Sequence, residues 1–230
     1  MSISTCDYPP EAAGKERVGD LWTPSVEKIF SLSPDLVLTT QEGNRPQTVE
    51  TLRKLGLRVF VSPPARSLEE YFERLVELGR IVGAETRAGE LIAEFRSEIA
   101  RARRGAAGRA SPRIFFQLGS APIVSAARGT IIHELIEIAG GVNISADSPL
   151  RYPSFSREKV VADDPEIILI AAMGGEGEKC RDEWMAFAGM AAVKTGRIYF
   201  IDPDLVCRLS PRLVEGLRTL AGMIQKKSDQ

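Results

Sequence analysis

Short runs rich in β-branched and aromatic residues alternate along the chain with segments whose apolar residues recur at helical spacing. This is the pattern of an α/β architecture with largely parallel sheets. It predicts strands near Leu36–Thr39, Arg58–Ser62, Arg113–Leu118, Ile167–Ala171 and Arg197–Ile201, with helices in the intervals. Two helices, Leu68–Val82 and Ala84–Arg104, follow one another with no strand between, and the first opens on a Ser67…Glu70 capping box. That break in alternation marks a boundary. In the second helix Ala88, Leu91, Ile92, Phe95, Ile99 and Ala102 share a face, and Arg103 and Arg104 ahead of Gly105 suit a helix C-terminus. At 1.5 Å per residue it is about 30 Å long. Both a spine between two lobes and an ordinary covering helix fit this periodicity. The expected layout is an α/β lobe over residues 1–83, the long helix over 84–105, and a second α/β lobe over 106–230.

The chain also repeats itself. Ser25, Glu27, Lys28, Pro34 and Asp35, leading into Leu36-Val37-Leu38, are echoed by Ser156, Glu158, Lys159, Pro165 and Glu166, leading into Ile167-Ile168-Leu169. Each pair is 131 residues apart, with no gap. Two similar lobes explain this, each with a short helix, a Pro-Asp/Glu turn and a strand; a common α/β turn recurring by chance is the alternative. The strand at Arg113–Leu118 has no counterpart at that offset. The first lobe therefore reads with two strands against three, and a further strand and helix are expected ahead of Met1.

Composition narrows the function. With 30 basic against 31 acidic residues and a net charge of −1, the chain has no cationic excess for a phosphate backbone, and nucleic acid is not an expected partner. At 43% hydrophobic and 27% charged it lies in the globular range. Its longest strongly apolar run, Ile167–Met173, is far short of a membrane helix, and Met1–Ser4 shows no export signal. Cys6, Cys180 and Cys207 are scattered and form no zinc or redox pair. No Gly-x-Ser-x-Gly elbow, Walker loop or His-Glu-x-x-His is present, and the Gly175…Gly177…Cys180 run lacks the third glycine of a dinucleotide loop. His133 and Glu137 have a chelating spacing, but apolar Ile131, Ile132, Leu135, Ile136 and Ala139 occupy the other face, so a solvated stripe is expected and no metal site.

Five segments in order carry a family resemblance: Asp7-Tyr8-Pro9-Pro10-Glu11-Ala12; Pro24-Ser25-Val26-Glu27 with Ser33-Pro34-Asp35-Leu36-Val37; Gly129-Thr130; Glu134-Leu135-Ile136-Glu137-Ile138-Ala139-Gly140-Gly141-Val142-Asn143-Ile144; and Tyr152-Pro153 with Ser156-Arg157-Glu158. Together they resemble the periplasmic substrate-binding proteins of vitamin B12 and iron-chelate ABC importers. The resemblance implies two Rossmann-like α/β lobes joined by one long backbone helix, acting as a monomer outside the cytoplasm, in the periplasm or as a lipoprotein. It implies no catalytic residues and no resident cofactor. The cargo would be a metal chelate, cobalamin or else a ferric siderophore or haem, captured between the lobes and delivered to the membrane permease of an ABC importer. By the same resemblance Tyr8, Trp22 and Tyr152 would line the cleft, and Asp204 and Arg208 would supply polar contacts. Where the B12 branch places further aromatics this chain has Thr40 or Gln41 and Val124. Glu27 and Glu158 would meet arginines of the importer, exposed on one common face. The competing class is a two-lobed α/β enzyme subunit, an oxidoreductase or transferase, which should show a general base, nucleophile or cofactor loop; none is evident.

Overall fold

The computed structural model describes residues 8–42, 45–171 and 176–226. Contacts divide the chain into two α/β units, residues 1–64 and 65–230, each with its own core.

In residues 1–64, α1 (Val26–Ser31), β1 (Val37–Thr40), α2 (Pro46–Lys54) and β2 (Val59–Ser62) follow in order. β1 and β2 pair in parallel with Val37 opposite Val59. Val18, Ile29 and Leu52 are buried between helices and strands, packed by Val26, Val37, Leu57 and Val59.

Residues 65–230 open with α3 (Leu68–Val82), which the sequence pattern assigned to the first lobe, and α4 (Glu85–Ala106). Then come β3 (Arg113–Gln117), β4 (Gly119–Ser120), β5 (Ile123–Val124), α5 (Ile131–Ile138), β6 (Val142–Asn143), β7 (Ser154–Phe155), α6 (Arg157–Asp163) and β8 (Ile167–Ile170). The unit ends with α7 (Gly177–Met185), α8 (Ala191–Lys194), β9 (Ile198–Phe200), α9 (Pro203–Val206) and α10 (Leu213–Gln225). A parallel sheet runs in the order β6-β3-β8-β9, and a small antiparallel sheet in the order β4-β5-β7. Because side chains alternate along a strand, β3 and β8 send Ile114, Phe116, Ile167 and Leu169 into one core, with Phe72, Phe95, Leu135 and Leu217 from α3, α4, α5 and α10. Phe115, Ile168 and Ile170 enter the other, with Val160, Trp184 and Ala192 from α6, α7 and α8. A sheet covered on both faces needs such uninterrupted apolar strands.

The internal repeat is realised bond for bond. Ser25 and Ser156 cap α1 and α6 by accepting the amide hydrogens of Lys28 and Lys159, each at 3.2 Å. Ser33 and Asp164, again 131 apart, are the two described non-glycine residues with positive φ, at 46° and 41°. The repeat-related Val37 and Ile168 then donate the first ladder bonds, to Arg58 O at 2.9 Å and Arg197 O at 3.0 Å.

Helix α4 runs through Gly105, where the sequence pattern ends it. Gln225 of α10 lies so close to Gly105 that a Cβ there would stand 2.5 Å from its Oε1, and its Nε2 donates to Ala102 O at 3.1 Å. A long-range partner for a last-turn carbonyl thus offsets the local glycine signal. Further along, Glu98 of α4 is buried, and accepts from Arg101 at 2.6 Å and from Arg218 of α10 at 3.1 Å. Burial disfavours its charge, but the two arginines outweigh that and hold the carboxyl below its ordinary value. Glu98→Gln should therefore cost about 2 kcal/mol at neutral pH. A depressed folded pKa contributes stability above the unfolded value that is lost as pH falls through the folded one, so urea midpoints of variant and wild type should draw together as pH falls through and below the ordinary carboxylate range.

Candidate ligand-binding site

Among residues 8–25 the chain leaves two aromatics exposed, one of them on a hydrogen-bonded loop. Tyr8 is 52% exposed and Trp22 65%. The Trp22 loop turns at Gly19, with φ 104°, where a Cβ would stand 2.8 Å from Thr23 O. Asp20 closes it by accepting from Trp22 N at 2.7 Å, Thr23 N at 2.6 Å and Thr23 Oγ1 at 2.8 Å. Those bonds, Thr23's first, hold the Asp20 carboxyl below its ordinary value. Ser25 N donates to Val18 O at 2.7 Å, pinning the base of the loop beside the core residue Val18. The hydrogen-bonded loop thus leaves the indole exposed beside a core that could take apolar surface, the kind of surface a ligand can cover.

Tyr152, 51% exposed, is presented in the same way by the other unit. Its neighbours are anchored by main-chain bonds from Ala127 N to Arg151 O at 2.8 Å and from Ser125 N to Pro153 O at 2.9 Å. The 125–127 strip is fixed from below: Asn143 Nδ2 donates to Ala126 O at 2.7 Å, Asn143 Oδ1 accepts from Ser145 N at 3.0 Å, and the Ser125 and Ser145 hydroxyls meet at 2.7 Å. His133 belongs to this support and is 4% exposed, which corrects the solvated stripe expected from its helix. Its Nδ1 lies 3.3 Å from Asn143 Nδ2 and its Nε2 3.4 Å from Glu137 Oε2. Asn143 is oriented by two backbone partners, so Nδ1 must accept and Nε2 carries the proton toward Glu137. Glu137 itself is exposed as expected.

Asp204 and Arg208 are brought into direct contact, at 2.6 Å, in the segment that leaves the carboxyl end of β9. Asp202 accepts from Asp204 N at 2.8 Å, and Arg212 reaches Asp202 at 3.2 Å and Asp204 at 3.9 Å. The carboxyl ends of parallel strands are where α/β sheets hold their ligands. Burial, with Asp204 and Asp202 adding to it, pushes the neighbouring Cys207 thiol to about 12, so it is not a nucleophile. Gly175 of the weak dinucleotide-like run lies outside the described residues; Gly177 opens α7, and Cys180 is buried within it.

Glu27 and Glu158 are both exposed, each in the opening turn of its helix. The Ser25 hydroxyl donates to Glu27 at 3.3 Å. Glu158's own amide and the Ser156 hydroxyl hold its carboxyl below the ordinary value.

The sequence pattern missed Leu150, Arg151 and Arg212. Leu150 is exposed beside Tyr152. A signal was available in Pro149-Leu150-Arg151-Tyr152-Pro153, where two prolines isolate apolar residues from any helix or strand period. Among the described residues no group of three His, Cys, Asp or Glu side chains is placed to hold a metal, and no helix is long and apolar enough to cross a membrane.

Comparison with known proteins bears on the family and the fold. A family model described as periplasmic binding protein matches residues 2–205. The vitamin B12-binding protein of Vibrio cholerae serotype O1 is 31% identical over 212 residues, covering 92% of this chain and 75% of that protein. The crystal structure of the periplasmic vitamin B12 binding protein BtuF of Vibrio cholerae superposes with a TM-score of 0.79 at 28% identity, over 100% of this chain and 89% of that one. The periplasmic heme-binding protein RhuT from Roseiflexus superposes with a TM-score of 0.83 at 27% identity, over 97% and 88%. With most of its length matched by the family model and its fold matched end to end, the chain belongs to the periplasmic binding protein family.

Proposed function

We propose that the protein captures cobalamin, or a related flat metal chelate, outside the cytoplasm as a monomer, and delivers it to the membrane permease of an ABC importer. As a member of a binding-protein family it is a receptor and not the enzyme subunit that was the competing class. The observation that carries the reading is the trio of exposed aromatics, Tyr8, Trp22 and Tyr152, the latter two on hydrogen-bonded segments. Amphipathic rings cover a broad, largely apolar macrocycle at low entropic cost. The likeness to proteins named for vitamin B12 and for haem supports the same class of cargo.

Between those two we favour the corrinoid, because relatives at 30% identity or more are named for vitamin B12. Haem iron is commonly held by a protein axial ligand, histidine or in some proteins tyrosine, so a haem here would draw on Tyr8 or Tyr152. The single histidine, His133, is buried and committed to Asn143 and Glu137. Cobalamin brings its own axial ligands and asks only for surface and polar contacts, which Asp204 and Arg208 can offer. Parallel titrations with cyanocobalamin, haemin and ferric siderophores, followed by quenching of tryptophan emission, test the reading. Cyanocobalamin should bind tightest, with Kd below about 10 µM, worth roughly 7 kcal/mol.

A further inference from the structure

We infer that Arg151 is a specificity residue which engages an anionic oxygen group at the edge of the bound macrocycle. The inference rests on the cargo reading above and narrows it. The Arg151 guanidinium carbon lies 5.8 Å from the centroid of the Tyr152 ring, the ring proposed to meet the cargo. Among the described residues no carboxylate pairs with it, whereas Arg157, six residues on, and Arg208 and Arg212 of the same unit each have an acidic partner. Its stem is directed by the fold: Cγ and Cδ pass Gly129, 3.7 Å from where a Cβ would stand, and its carbonyl is pinned by Ala127 N. A half-buried, backbone-anchored guanidinium over a ligand-facing ring keeps its fork of donors available and has already lost much of the freedom a surface arginine would lose on binding.

Two cargo classes offer the chemistry such a fork recognises: the phosphate of the cobalamin nucleotide and the propionate carboxylates of haem. Both are anionic oxygens at the rim of a flat ring, where a guanidinium beside a stacking tyrosine would sit. Arg151 then distinguishes complete, charged cargo from the bare macrocycle, a task the aromatics cannot perform because they read only the ring face.

The test measures dissociation constants of wild type, Arg151→Gln and Arg151→Lys for matched ligand pairs: cyanocobalamin against dicyanocobinamide, which lacks the nucleotide phosphate, and haemin against its dimethyl ester. For whichever charged ligand the wild type binds, Arg151→Gln should weaken binding about five- to tenfold. Affinity for the uncharged partner should stay within about twofold, Arg151→Lys should recover part of the loss, and raised salt should shrink the difference between wild type and Arg151→Gln. Equal losses on both members of a pair, or no loss on either, would overturn the inference while leaving the cargo reading intact. Failure of the wild type to bind any of the four would overturn both.

Discussion

Reversing both Glu27 and Glu158 to lysine should abolish stimulation of the importer while leaving cargo affinity within about twofold. The two carboxylates occupy one position of the internal repeat, are exposed, and sit on helix openings of the same design, Ser25 and Ser156 capping each. A receptor with one such carboxylate per unit can present paired charges to a partner built with two-fold symmetry. Local capping is the competing explanation, and its size is known: a negative charge near a helix N-terminus contributes about 0.3–1 kcal/mol. The double variant should therefore remain folded, with melting only slightly lowered. The reversal also changes net charge by four units, so Glu50→Lys with Glu94→Lys, two exposed glutamates elsewhere, is the control. It carries the same charge and should keep stimulation. Transport by the importer in proteoliposomes separates the cases: equal loss in both double variants would assign the effect to overall charge, and no loss in either would return Glu27 and Glu158 to capping.

Trp22→Ala should weaken cargo binding by about 2 kcal/mol, near thirtyfold in Kd, and Tyr152→Ala by a similar amount. Neither side chain supports a core, Trp22 being 65% exposed and Tyr152 51%, so thermal stability should move by no more than about 0.5 kcal/mol. That combination, large loss in binding with little change in melting, separates ligand contact from packing. Trp184 is the internal contrast. It is buried against Phe115 and donates to Gln117 Oε1 at 2.6 Å, so its removal would unfold rather than unbind. Asp20→Ala should resemble Trp22→Ala in direction, because it releases the loop that holds the indole out.

Much of this was legible in the sequence where local rules and tertiary demands agree. The Ser25 and Ser156 units could be read because capping, turn and strand are all encoded within about fifteen residues, and the structure reproduces them down to the positive φ of Ser33 and Asp164. The parallel core strands could be read because burial on both faces demands unbroken apolar runs. What escaped depends on distant partners. Helix α4 outruns Gly105 because Gln225 satisfies its last turn. His133 can be buried because Asn143, ten residues on, and Glu137 give its ring nitrogens partners, and helical spacing alone cannot report that. The strands β4, β5 and β7, two residues each, are too short to show any period. Arg151 escaped because it stands out by having no carboxylate partner among the described residues, which only the structure reports.

The claim on which the rest depends is that exposed aromatics of this chain receive a corrinoid. Equilibrium titration of the purified protein with cyanocobalamin, read by tryptophan emission in wild type and in Trp22→Phe, tests it most directly. Expected is a saturable, one-to-one quench with Kd below about 10 µM in the wild type. In Trp22→Phe the exposed emitter is gone and Trp184 remains, so the residual quench should be smaller while binding itself, followed by dialysis, persists. No saturable binding of cyanocobalamin, with haemin or a ferric siderophore binding in its place, would contradict the corrinoid assignment. Absence of binding by all three would contradict the receptor reading of this site.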